Sequence, residues 1–555
     1  MEDWKNQLFF GDNLEVLRRH IPVESVDLIY LDPPFNSNAT YNMLFKEPSG
    51  EQSAAQIAAF DDTWKWGPQA EEAFDEAVMF GPPPLAELLK ALRQVLGRTN
   101  MLAYLSMMAV RLVELHRVLK PTGSLFLHCD PTASHYIKLI LDNIFSPKNF
   151  RNEIIWERSQ PKGHAKLRFS RCHDTIFFYS KSEKSVFNPI YKEHDPAYLE
   201  RFYRHVEPET GRRYRLGDLT NPHRERPNLT YEFPPSSGTV RVWRWTQERM
   251  MEAWKEGRVV IPEKGEVAQY KRYLDEMAGT PIKDIWYDIE HLHGSSREYL
   301  GYQTQKPEAL LERIVRAGSH EGEVVLDPFC GCGTAVAVAE RLKRHWIGID
   351  VTYLAIDLIR KRLKDSFGNE LADYEEIGIP RDVTSAERLF NIDSFQFECW
   401  ALAMIGARSA REKRGADRGI DGVMNLRDEY SGDYKKIIFQ VKGGKVGVSQ
   451  VRDLKGVLER EKVEIGVFLT MHKPTRQMQK EADEAEPFID PQFPNLRFPR
   501  LQLITIEDIF AGKKINFPNW WSQETFKKAL RRRKTNPEEN QNNLLKELQE
   551  PFDRD

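Results

Sequence analysis

Residues 324–334, VVLDPFCGCGT, constrain the fold more than any other stretch of this chain. They comprise an apolar run, an Asp-Pro stop, two closely spaced glycines and the start of a helix-forming segment. An apolar run closed in this way reads as a buried parallel strand. Gly331 and Gly333 allow backbone amides to approach a ligand closely, at the positive end of the following helix. The next strand, 345–349, ends at Asp350, which lies 17 residues beyond Gly333. Nucleoside-binding α/β folds place an acid there to accept hydrogen bonds from ribose hydroxyls. No Lys-Ser/Thr pair follows the glycines, so this is not a Walker loop.

A second strand end repeats the pattern far upstream. Residues 26–31, VDLIYL, run into Asp32-Pro33-Pro34-Phe35. Two prolines stiffen the end and leave carbonyls without local amide partners. A carboxylate and a carbonyl pointing one way are two acceptors, which suits an exocyclic amino group with two donor protons. An aromatic ring beside them can stack on a base drawn out of a duplex. Between the two strings, 104–118 and 136–145 carry helical spacing and 123–129 reads as a strand. A helix fits 334–343. Strands alternating with helices predict a parallel α/β sheet.

Together these strings resemble the amino-group DNA methyltransferases that use S-adenosylmethionine (AdoMet). DPPF matches the catalytic motif of that family and DPFCGCGT its cofactor loop. The catalytic motif comes first, by almost 300 residues, which is the order of the permuted β group. Gly11-Asp12 followed by Leu14, NEIIW at 152–156 and TQKP at 304–307 also fit. The resemblance implies that Asp32 and the Pro33 carbonyl hold the target amine, with Pro34 and Phe35 completing the motif. It implies cofactor contacts from Asp12, Asp327, Phe329, Gly331, Gly333 and Asp350. Transfer would be direct, so Cys330 and Cys332 need no catalytic role, and a lone C-x-C is no zinc site. The expected target is adenine N6, with cytosine N4 as the alternative.

At 555 residues the chain has room for about three to five domains. Its net charge of −3 excludes a basic coat for nucleic acid, so double-stranded DNA must be met by local patches. Candidates are Arg158, Lys162, Lys166, Arg168 and Arg171, then Arg212, Arg213, Arg215, Arg224 and Arg226, then Arg241, Trp243, Arg244 and Trp245. Arginine interleaved with aromatics suits phosphate contact and stacking. There is no apolar run long enough for a membrane helix and no secretory signal at the first residues. Five cysteines rule out a disulfide scaffold, and the cytoplasm is the default compartment. A homodimer is open to such a chain.

Residues 391–512 repeat a mixed α/β pattern without any AdoMet motif. Asp421, in GIDG, and Gln440-x-Lys442 would lie at adjacent strand ends if their strands form a hairpin. Asp421, Gln440 and Glu398 could then ligate a hard cation such as Mg²⁺, with Lys442 orienting water or stabilising charge. This pattern resembles the PD-(D/E)xK nucleases, in particular the Mrr-like domains. The expectation is therefore an α/β chain with a Rossmann-like AdoMet-dependent methyltransferase sheet at 1–370 and an inserted recognition region at 151–300. A linker follows at 371–390, then a restriction-endonuclease-like α/β domain at 391–515 and a polar tail at 516–555. The implied role is restriction–modification, with a metal-dependent cutting nuclease at the C-terminal end, since Asp421, Gln440 and Lys442 are all present; the alternative is a DNA clamp that does not cut.

Overall fold

The computed structural model describes residues 4–34, 40–46, 52–61, 66–161, 167, 169–223, 225–262, 267–293, 296–302, 304–410, 419–431 and 433–522. Phe35, Lys162, Lys166, Arg168, Arg224 and all of the tail beyond 522 lie outside them.

The main sheet draws on strands from both ends of the methyltransferase-like region. In chain order these are β1 (Asn6–Phe10), β2 (Val26–Leu31), β3 (Leu119–Cys129), β4 (Phe150–Glu157), β5 (His173–Ser180), β6 (Ile285–Trp286), β7 (Val324–Asp327), β8 (His345–Asp350) and β9 (Tyr374–Ile377). Their spatial order is β6-β4-β5-β3-β2-β7-β8-β1-β9. β5 runs antiparallel to both neighbours, and every other pairing is parallel. Every residue of β2 and of β7 is buried, as expected for strands covered on both faces.

The helices begin where their caps dictate. Asp12 accepts the amides of Leu14 and Glu15 at the start of α1 (Asn13–His20). Prolines open α2 (Pro68–Phe80) and α3 (Pro83–Leu96), and Thr99 caps α4 (Asn100–Val118). α5 (Ser134–Phe145), α6 (Glu308–Gly318), α7 (Thr334–Arg341) and α8 (Tyr353–Phe367) complete the layers. Leu105, Met108 and Leu112 of α4 sit in one core with Ile29 and Leu31 of β2 and with Leu125 and Leu127 of β3.

Two expected boundaries move. The stretch 371–390, read as a linker, supplies edge strand β9 beside β1 and most of helix α9 (Val383–Ile392). YEEI is too short and acidic to show a period, whereas Asp382 and Ser385 form a capping box that could have been read. Within 151–300, strands β4, β5 and β6 belong to the main sheet. The separate compact unit is 189–283. The run TIFFYS of β5 is wholly buried, and the surrounding arginines obscured it.

The unit 189–283 has its own small core around Trp243, Phe233, Leu219 and Met250. Trp243 is fully buried and its indole N–H donates to the Tyr231 carbonyl, so it holds the core and is not an exposed stacking platform. Arg212 is bound to Asp275 and Glu276. Lys271, Thr210 and Tyr273 hydrogen-bond Glu207 and pull its carboxyl down to about 2.

The C-terminal sheet is built from β10 (Arg408–Ser409), β11 (Gly422–Asp428), β12 (Tyr434–Lys442), β13 (Ile465–Thr470) and β14 (Leu501–Thr505), in that order. α10 (Ser394–Met404) precedes it, and α11 (Val448–Glu461) and α12 (Arg476–Asp483) pack on it. β11 and β12 form the expected hairpin. Trp521–Ser522 pairs with β11, so the first residues of the expected tail belong to this sheet.

Candidate active site

The strands that carry the two strings are neighbours. Leu28 pairs with Val325 and Ile29 with Leu326, in parallel. Asp32-Pro33-Pro34 and the loop 327–333 therefore leave the sheet side by side, although almost 300 residues separate them. Both line one cavity of ≈ 300 Å³, together with Asp12, Tyr30, Tyr302, Lys306 and Asp350.

Around the glycine loop the backbone is tightly specified. Gly331 and Gly333 have φ of +50° and +73°, a region L-residues rarely adopt. A Cβ on Gly331 would lie 3.3 Å from the Tyr302 ring, and one on Gly333 2.7 Å from Ile359. The Gly331 amide donates to Asp350 Oδ2 at 2.9 Å, while Oδ1 accepts from the Thr352 amide and hydroxyl. Asp327 is buried and accepts the Phe329 amide at 3.0 Å. Burial pushes the Asp327 and Asp350 carboxyls up, and Asp32 adds to the effect at Asp327. Cys330 and Cys332 are buried, and Arg362 donates to the Cys332 carbonyl. Asp12 lines the cavity, yet its oxygens already cap α1 and bind Arg111 at 2.8 Å.

At the other lip, Lys306 donates to Asp32 Oδ2. Asp32 Oδ1 is buried and has no hydrogen-bond partner among the described residues. An orphaned buried acceptor is costly unless a ligand supplies a donor. Pro33 is buried and Pro34 half-buried beside it. Tyr30, two residues before Asp32 and so on the same strand face, contacts His128 Nδ1 at 3.3 Å. His128 Nε2 lies 3.0 Å from Asp174, and Asp174 binds Arg158. Burial, then Asp32, keeps the Tyr30 phenol protonated. Although burial opposes it, the His128 hydrogen bond and Arg158 hold Asp174 below its usual range.

The family model for DNA methylase, the N6/N4 class, matches residues 26–361, from the strand that carries Asp32 to the helix after Asp350. The chain belongs to the DNA methylase family.

Among the relatives of this DNA methylase is the type II methyltransferase M.EcaI of Enterobacter cloacae. It is 27% identical over 362 residues, which cover 64% of this chain and 69% of M.EcaI. The DNA adenine methyltransferase YhdJ of Escherichia coli is 26% identical over 356 residues, 64% of this chain and 82% of YhdJ. The Mod subunit of the type III restriction-modification enzyme StyLTI of Salmonella typhimurium is 26% identical over 345 residues, 59% of this chain and 49% of that protein. A second family model, for the NACHT-associated inactive restriction endonuclease 1, matches residues 394–495.

In that second region of the DNA methylase, Asp421 is fully buried beside β12. Its Oδ2 accepts the Val441 amide at 2.8 Å and the Lys442 ammonium at 3.2 Å. Gln440 is buried on the same strand, and its Oε1 has no partner among the described residues. Glu398 is buried on α10. Among the described residues no group of three or more His, Cys, Asp or Glu is arranged to hold a metal ion.

Lys306, Tyr302, Tyr30, Asp174 and Arg111 join the cavity or its supports without an assigned role in the motifs. Lys306 was visible as part of TQKP. Tyr30 could have been found by strand alternation from Asp32. Asp174 and Arg111 carry no local signal, because only the sheet order and the packing of α4 bring them to the site.

Proposed function

We propose that this DNA methylase transfers a methyl group from AdoMet to an exocyclic amino group of a base in double-stranded DNA, adenine N6 first and cytosine N4 as the alternative. The observation that carries the reading is the junction of the β2 and β7 ends around one cavity, with Asp32 Oδ1 left as a buried acceptor. The order of the two motifs along the chain supports membership of the permuted β group.

The residues fit the cofactor. Gly331 leaves a cradle that a Cβ would fill against Tyr302, and Asp350 offers its carboxylate beside the loop. Asp327 and Asp350 line the cavity with acid, which suits a cation. When bound, AdoMet supplies an electrophilic methyl group on a positively charged sulfur. Asp32 Oδ1 and the Pro33 carbonyl then accept hydrogen bonds from the two amino N–H groups and aim the nitrogen lone pair, and Asp32 stands where it can take the one proton that the methylated nitrogen releases. Lys306 holds the other Asp32 oxygen, so the carboxylate cannot rotate away. Tyr30, His128 and Asp174 brace the strand ends behind it.

The test is transfer of labelled methyl from AdoMet to plasmid DNA. Acid-precipitable label is expected with wild type, and its absence on DNA of varied sequence would overturn the reading. AdoMet binding should also weaken on acidification. A cation binds the ionised acids, so affinity falls as pH drops through the raised range of Asp327 and Asp350. Titration calorimetry across pH checks this, and affinity that rose on acidification would contradict it.

For the C-terminal sheet the sequence favours a cutting nuclease, and one observation favours instead its alternative, a clamp that binds DNA without cutting. Asp421 Oδ2 already holds Lys442 and the Val441 amide, so the acid is committed to its neighbours on β12. The match to an inactive restriction endonuclease model agrees. Among the described residues no cluster of three acidic, histidine or cysteine side chains gathers at Asp421. Plasmid incubated with Mg²⁺ or Mn²⁺, with or without AdoMet, should stay intact. Cleavage by wild type that vanishes in Asp421→Ala or Lys442→Ala would reinstate the nuclease.

A further inference from the structure

Helix α8 begins immediately after the Asp350 carboxylate, and its first amides need partners from outside the helix. Thr352 is the N-cap: its hydroxyl accepts the Ala355 amide at 3.3 Å and donates to Asp350 Oδ1 at 2.7 Å. The amide of Tyr353, the first helical residue, donates to Gln396 Oε1 at 2.9 Å. Gln396 sits in the first turn of α10 in the endonuclease-like region, where Asp393 holds its own amide at 3.2 Å. One turn of the methylase fold is thus capped by two side chains, and one of them comes from the C-terminal domain.

This cap is joined to the cofactor loop. Asp350 binds Thr352 through Oδ1 and the Gly331 amide through Oδ2. A frayed first turn of α8 would release Thr352 and leave Asp350 held from one side only. AdoMet binding would then have to pay for ordering that turn. In the other direction, α10 is packed toward the Gln440-x-Lys442 strand. Phe397, next to Gln396, meets Phe390 at 5.5 Å, and a Cβ on Gly443 would lie 2.2 Å from the Phe390 ring. Gly443 directly follows Lys442.

We propose that Gln396 is a positioning residue for AdoMet binding, through which the C-terminal domain sets the affinity of the cofactor pocket. The inference rests on the reading of that pocket as the AdoMet site. By linkage, anything that shifts α10 relative to α8 changes AdoMet affinity, and AdoMet resists that shift by the same factor.

The test is titration of the full chain with AdoMet for wild type, Gln396→Ala and Gln396→Glu. Gln396→Ala should bind roughly tenfold more weakly, the scale of one lost hydrogen bond to a buried amide, and raise KM for AdoMet but not KM for DNA. Gln396→Glu keeps an oxygen for the Tyr353 amide and should restore most of the affinity. Thermal melting of each variant separates this from loss of fold. Equal affinities in wild type and Gln396→Ala would overturn the inference alone. Equal weakening in the Ala and Glu variants would also overturn it, since that marks packing rather than the cap. A wild type that binds no AdoMet would overturn the pocket reading itself.

Discussion

Asp32→Ala is expected to slow methyl transfer by at least roughly 100-fold, the usual cost of removing one positioned hydrogen-bonding group from a transition state. AdoMet affinity should stay near that of wild type. The reason is positional. Asp32 Oδ1 is a buried acceptor without a partner in the described protein, and Lys306 holds Oδ2. The contacts of the glycine loop run instead through Asp350 and Asp327. Asp32→Asn is the finer control, since it keeps the shape and one acceptor but loses the charge paired with Lys306. Single-turnover transfer and calorimetry on the same preparations separate the two effects. Full activity in Asp32→Ala would move the amine site elsewhere.

Gly331→Val should have the opposite profile, with AdoMet binding weakened by tenfold or more. Holding a side-chain-bearing residue at positive φ costs about 1–2 kcal/mol, and β-branching makes it worse. Here φ is +50°, and the new Cβ would meet the Tyr302 ring at 3.3 Å. Either the loop or Tyr302 must shift, and the Gly331 amide that binds Asp350 shifts with the loop. Gly331→Ala should lose less, because it adds the φ strain without the branched methyls. An unchanged dissociation constant for the valine variant would mean that the cofactor does not approach this turn.

Most residues of the candidate site could be named from the sequence because they sit at strand ends, where pattern and motif coincide. The pairing of the Asp421 and Lys442 strands could be stated only as a condition, whereas the ends of β2 and β7 were readable as apolar runs stopped by Asp-Pro. Their adjacency in space followed from the resemblance, not from spacing. Long-range partners were not legible. Arg111 reaches Asp12 and Asn13 from the middle of α4, and Asp174 reaches His128 from a strand whose neighbours are set by sheet order. Trp243 looked like a stacking residue among arginines and is instead the centre of a small core. Strand β9 escaped because an acidic four-residue edge strand has no period to read. Gln396 could not be found at all from sequence, since its partner is a backbone amide in another sheet's first helical turn.

The most direct test of the central claim is the chemical position of the methyl group. Plasmid DNA treated with wild-type protein and AdoMet would be digested to nucleosides and analysed by mass spectrometry against nucleoside standards. N6-methyladenine, or N4-methylcytosine for the alternative target, is expected with wild type, and Asp32→Ala should form it at least roughly 100-fold more slowly. Methyl groups on a ring carbon, or amino methylation that persists at wild-type rate in Asp32→Ala, would contradict it.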